Sequence, residues 1–154
     1  MDIFLNVHIQ LHDLYQISDM AEYTLKLTDQ GVNVGIGCRR GTALADIENA
    51  LLDALTKLDL NPEDISCIAS LDAKRDEAGL LELVKKYRIR IKFYPADYLN
   101  SFETPNVTPR AQQEFGVNAV AEAAALAVNP EYRLLLEKQK YPSVTIAIAG
   151  KEDA

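Results

Sequence analysis

Val32-Asn33-Val34-Gly35-Ile36-Gly37-Cys38-Arg39-Arg40-Gly41-Thr42 begins as an apolar run and ends in glycines and arginines. The pattern reads as a buried strand that enters a glycine turn, with Thr42 placed to cap the helix that follows. Leu44, Ile47, Leu51, Leu55 and Leu58 recur at spacings of three and four, so helix 43–58 is apolar along one face. That face belongs on a sheet. Asn61-Pro62-Glu63-Asp64 then supplies a cap, an N1 proline and early acids, and Ile65 to Leu71 reads as a fully buried strand. Strand, helix and second buried strand in this order make a βαβ unit with parallel strands.

Further along, Asp72 reads as the cap of a helix from about Lys74 to Tyr87, with Leu80, Leu83, Val84 and Tyr87 on one face. Ile89-Arg90-Ile91-Lys92-Phe93 alternates as a strand. Its basic residues Arg88, Arg90 and Lys92 would be costly between two helical layers, which places 88–93 at a sheet edge and leaves open a homodimer through that edge. The 23 residues from Pro95 to Val117 form a connection broken at most by a turn near Asp97 to Asn100; loops of that length are often functional. Asn118 caps a helix from Ala119 to Val128, Asn129-Pro130-Glu131 opens another helix with Leu134 and Leu135, and Val144, Ile146 and Ile148 mark a last strand. The expected fold is α/β: a three-layer sandwich, its sheet of about five strands mostly parallel or mixed, with helices on both faces. At the other end of the chain, Ile3 to Leu11 alternates as a strand, and 13–30 has no clear reading. On that strand His8 and His12 lie roughly 13 Å apart, which argues against a shared metal, and no metal or cofactor is expected.

Composition narrows the function classes. The 154 residues suit one domain, 48% hydrophobic and 25% charged residues suit a soluble globular one, and no apolar stretch nears the ~18 residues of a membrane span. A net charge of -7 argues against a surface built to grip nucleic acid. Cys38 and Cys67 lie in unlike settings, which fits a reducing, cytoplasmic environment.

A strand that ends in glycines before a helix presents free backbone N–H groups and a positive dipole end at one point. Gly35, Gly37, Cys38, Arg39, Arg40, Gly41 and Thr42 therefore form a candidate anion site, where an Arg fork can take a carboxylate or phosphate; two solvated arginines in a plain turn would have the same sequence. Cys38 has no later His to act as its base, so packing explains it better than nucleophilic chemistry. The glycine spacing resembles a dinucleotide fingerprint, but its only acid, Asp72, lies 37 residues after Gly35 and is already assigned as a cap. Lys74 and Glu77 fall in the turn after the second strand, on the same rim as the glycine loop; a surface pair at i, i+3 would be spaced identically. Glu122 stands alone among Ala119, Val120, Ala121, Ala123, Ala124, Ala125 and Leu126, and a buried carboxylate needs a partner. It is the best candidate for a catalytic group, and a structural hydrogen bond is the alternative.

Val34 to Thr42, Ser70 to Leu80, Phe93 to Ala96 with Leu99, Gly116 to Leu126, and Lys138 with Val144 to Ala149 resemble, in order and spacing, the CobE/CbiG C-terminal domain family of cobalamin (vitamin B12) biosynthesis. The resemblance covers about residues 32–149, which sets residues 1–31 apart as an extension before a domain at 32–150. It implies a precorrin or cobalt-precorrin ligand, whose ring of acetate and propionate side chains would suit Arg39, Arg40, Lys74 and the loop amides, with Glu77 or Glu122 facing its polar groups and the 95–117 loop closing over it. Full-length CbiG-type proteins add an N-terminal domain and hydrolyse a cobalt-precorrin lactone with release of acetaldehyde. The size here is nearer the CobE type. A part of such a hydrolase, or a non-catalytic docking module for another corrin-pathway enzyme, are the alternatives, and whether the chain is an enzyme stays open.

Overall fold

The computed structural model describes residues 31–107 and 119–151. The expected strand at 3–11, the 13–30 stretch, the Asn118 cap and the far part of the 95–117 loop lie outside them. In chain order the elements are β1 (Val32–Cys38), α1 (Leu44–Lys57), a 3₁₀ turn (Pro62–Asp64), β2 (Ile65–Leu71), a 3₁₀ turn (Asp72–Lys74), α2 (Ala78–Tyr87), β3 (Arg90–Tyr94), α3 (Ala96–Leu99), α4 (Val120–Ala127), β4 (Arg133–Tyr141) and β5 (Val144–Gly150). They form a five-stranded sheet in the order β3-β2-β1-β5-β4. Strands β1, β2 and β3 run parallel, β5 runs antiparallel to both β1 and β4, and the sheet is therefore mixed. As expected, β3 is an edge strand.

Period-2 alternation divides β1 between two cores. Val32, Val34, Ile36 and Cys38 face α1 and α2, together with Ile47, Leu51, Leu55, Ile68, Leu80, Leu83, Ile146 and Ile148. Gly35 and Gly37 face the other way. There α4 lies on the sheet in a layer of small side chains, Ala121 and Ala125 against Ala147 and Ala149. A Cβ added to Gly35 would sit 1.8 Å from the Ala121 carbonyl oxygen, and one on Gly37 would sit 2.6 Å from Thr145 Oγ1. The helix rests directly on the strand backbone. Helices on both faces give the expected three layers.

Several local expectations give way to tertiary structure. The strand continues through Gly35 and Gly37 to Cys38, and of the three glycines only Gly41, at φ 80°, lies in the turn. Thr42 does not cap α1: Ala43 holds that position, and the Thr42 hydroxyl donates 2.6 Å to the Arg39 carbonyl to close the turn. Asp72 likewise opens a 3₁₀ turn and pairs with Arg75, and α2 begins only at Ala78, with Glu77 at its N-cap. The segment after Asn129-Pro130 is strand, not helix. Asn129 Oδ1 accepts from Glu131 N–H in a local turn, and β4 then pairs with β5 as a hairpin, which supplies partners for backbone groups that an isolated helix would have to satisfy alone. In its described part, the 95–117 connection holds the short helix α3 at the expected turn.

Candidate functional site

Parallel strands bring the turns after β1 and β2 to one rim of the sheet, and the β4–β5 hairpin turn joins them there, with Arg39 N–H donating 3.0 Å to the Ser143 carbonyl. Outward from β1 the strand order runs β2, β3 on one side and β5, β4 on the other. Open α/β sheets bind ligands beyond the carboxyl ends of their parallel strands, and the Arg39–Thr42 turn stands at the carboxyl end of β1, on the rim it shares with the ends of β2 and β3.

The two turns are fastened by charge. Glu77, only 3% exposed, accepts from the Gly41 N–H at 3.0 and 3.2 Å through its two oxygens. Arg40 Nη1 lies 3.1 Å from both Glu77 Oε1 and Asp76 Oδ1, and its Nη2 donates 2.6 Å to the Ala73 carbonyl. The loop N–H expected to meet an external anion is thus held by the chain's own carboxylate. Hydrogen bonding to Asp76 raises the Arg40 pKa, and the same bond lowers that of Asp76. Beneath them, burial pushes the Cys38 thiol up, with Lys74 and Arg40 pulling it down and Glu77 adding to the rise. Cys38 is therefore a protonated packing residue of β1. Lys74 is 5% exposed. The structure thus gathers Cys38, Arg40, Gly41, Lys74 and Glu77, while Gly35 is buried beneath α4 and Gly37, half-buried, lies against Thr145 and Val120. Arg39 is exposed, and its guanidinium has no ion-pair partner among the described residues.

Glu122, in the first turn of α4, is fully buried. Its carboxylate accepts from Asn106 N–H at 3.1 Å, Asn106 Nδ2 at 2.9 Å and Lys138 N–H at 2.9 Å. Lys138 lies where the β4 register slips between Leu136 and Gln139, so its N–H turns to Glu122. This is the structural alternative: a tie between α4, the 100–107 segment and β4. Asp76 and Asn106 are partners of the candidate residues that sequence reasoning missed, because they lie 36 and 16 residues from Arg40 and Glu122 and carry no local signature.

A groove of about 400 Å³ opens beside the rim between α1 and the β4–β5 hairpin, lined by Asp46, Asn49, Asp53, Tyr141 and Ser143 among others. Tyr141 donates 2.6 Å to Asp53, and burial followed by this bond pushes its phenol up. Its carboxylates repel an anionic ligand. Among the described residues no cluster of His, Cys, Asp and Glu could hold a metal ion, and no helix is long and apolar enough to cross a membrane.

Residues 32–149 match the family described as the cobalamin synthesis G C-terminus. The chain belongs to this family. As a CobE/CbiG-type chain it is 32% identical over 116 residues to the cobalt-precorrin-5A hydrolase of Priestia megaterium, covering 75% of this chain and 31% of that protein. It is 30% identical over 124 residues to protein CobE of a Sinorhizobium species, covering 78% of this chain and 80% of that protein. The crystal structure of CobE, a protein from the cobalamin biosynthetic pathway, superposes with a TM-score of 0.75 at 30% identity over 79% of this chain and 91% of that one. The chain thus spans about a third of the length of that hydrolase relative and most of CobE.

Proposed function

We propose that this CobE/CbiG-type chain binds a carboxylate-rich precorrin or cobalt-precorrin intermediate of cobalamin biosynthesis at the crevice beyond the end of β1. One observation carries the reading: the Arg39–Arg40 turn stands at the carboxyl end of β1, on the rim shared by the parallel strands β1, β2 and β3, with Arg39 exposed. An arginine fork takes a carboxylate through two parallel hydrogen bonds, and several such groups around one macrocycle let a few cations on an acidic chain select it. Arg40 shares its charge with Asp76 and Glu77 but keeps a side chain 58% exposed, enough to meet a second carboxylate. The Gly41 amide is engaged by Glu77, so guanidinium groups rather than loop amides do the reading.

Likeness to cobalt-precorrin-5A hydrolases supports a second reading, part of a lactone hydrolase. That chemistry needs a carboxylate able to activate water. Glu77 and Glu122 are both buried and hydrogen-bonded within the protein, so binding is the reading we prefer.

An absorbance titration with precorrin intermediates tests the proposal, because a conjugated macrocycle changes its spectrum on binding. Arg39→Ala should weaken binding by roughly tenfold or more, as expected for loss of a charge-assisted contact. Arg39→Ala with Arg40→Ala should lower it further. Unchanged affinity in the double variant would overturn the site; conversion of the bound spectrum by the wild type would favour the hydrolase.

A further inference from the structure

Away from the rim turn, the edge strand β3 presents a feature that neither the fold nor the arginine site uses. Its alternate residues Arg90, Lys92 and Tyr94 face the α4 side of the sheet, since Tyr94 packs with Ala69, Leu71 and Leu99 while Ile91 and Phe93 join the opposite core. From Tyr94 the aromatic surface continues through α3. The Tyr94 and Tyr98 rings lie 5.5 Å apart at 35°, and Tyr98 meets Phe102 edge-on at 5.2 Å. Tyr98, the middle ring, is 41% exposed. Beside these rings Lys92 is exposed, and neither it nor Arg90 has a carboxylate partner among the described residues. The Arg90 Nε–H is buried without a hydrogen-bond acceptor. Uncompensated cations are unexpected on a chain of net charge -7.

We propose that this ledge of Lys92, Tyr94, Tyr98 and Phe102 receives the flat face of the same macrocycle whose carboxylates the rim reads; the inference rests on the function proposed above and adds to it the surface that recognises the ring. Charge and shape together select this occupant. A cluster of rings with Tyr98 exposed offers an aromatic face for a conjugated system, and the neighbouring cations offer counter-charges for acids at its periphery. An aliphatic polycarboxylate would use only the cations. Nucleic acid, whose bases also stack, needs more positive charge than two side chains on an acidic chain provide.

The test is a titration of the full chain with uroporphyrin, an octacarboxylate tetrapyrrole, read by its Soret absorbance, with butanetetracarboxylate as a flat-face-free competitor. Tyr98→Ala should weaken uroporphyrin binding about three- to tenfold, the range of a stacking contact, and reduce the spectral shift, while Tyr98→Phe retains both. Tyr98→Leu keeps apolar bulk should the alanine variant unfold, and it should show the same loss. Lys92→Gln should weaken binding and flatten its dependence on salt. Butanetetracarboxylate should compete poorly. If Tyr98→Ala and Tyr98→Leu bind as the wild type does while Arg39→Ala fails to, the ledge is wrong and the rim reading stands. If the wild type binds no uroporphyrin and no precorrin, both fall. Tighter binding of a single-stranded oligonucleotide than of uroporphyrin would also overturn the ledge.

Discussion

Gly35 and Gly41 lie six positions apart in one motif, yet a methyl group would meet different physics at each. At Gly41 nothing lies within 4 Å of an added Cβ, and the cost of Gly41→Ala comes from φ 80° alone, about 1 kcal/mol. At Gly35 the same methyl would sit on the α4 backbone, which has no flexible end to swing away, and Gly35→Ala should cost about 3 kcal/mol or more. Urea midpoints of the two variants check the order; equal losses would mean that α4 is not seated as described. In the sequence the two glycines look alike, because a residue emptied for a helix backbone and one emptied for a turn are written with the same letter. Glu122 has the same ambiguity. Its isolation among alanines correctly signals a buried carboxylate with a partner, but Asn106 and the Lys138 amide come from segments that local pattern cannot join to it.

Elements were legible where their signal was local and lost where it depended on pairing. The five-residue alternation of β3, the apolar stripe of α1 and the buried run of β2 all match the structure closely. In β4, Leu134-Leu135-Leu136 suits a helix face as well as a strand, and only the β5 partner decides. The register slip in β4 even sends Leu134 to the α4 core and Leu136 to the α1 core, which breaks the alternation a reader would look for. Glu122 ties three of these elements together. Glu122→Gln keeps one oxygen but turns an NH₂ group toward donors, so a buried donor loses its acceptor, and stability should fall by about 1–3 kcal/mol. Hydrogen exchange at the Lys138 amide should rise in step. A Gln variant as stable as the wild type would remove Glu122 from this structural role.

For the molecule as a whole, burial sets a pH dependence. In the fold Cys38, Cys67, Tyr94 and Tyr141 all hold their protons more tightly than at their ordinary values, burial being the leading cause in each. Unfolded thiols release theirs near 9.0, so the unfolded chain loses protons first as pH rises. The stability these groups contribute is complete below that pH and declines above it. Lys138, whose pKa is lowered by burial and then by Lys140, acts in the opposite sense as a single group. Urea midpoints measured from pH 8 to 10.5 should therefore fall, and a flat profile would contradict these environments. The α/β class, a sheet of about five strands and the edge position of β3 were within reach of the sequence; the full strand order, which needs β4, and the closure of the rim by Glu77, which joins two turns 36 residues apart, were not.

That closure has a consequence for which molecules can reach the rim. Glu77 is a tethered competitor: a carboxylate joined to the protein faces the Gly41 amide at an effective concentration in the millimolar range, before any solute arrives. A small monoacid at ordinary cellular dilution cannot displace it. Only a molecule already anchored elsewhere, bringing its next carboxylate at a comparable local concentration, competes on equal terms, so the loop discriminates by valency rather than by the shape of any one acid.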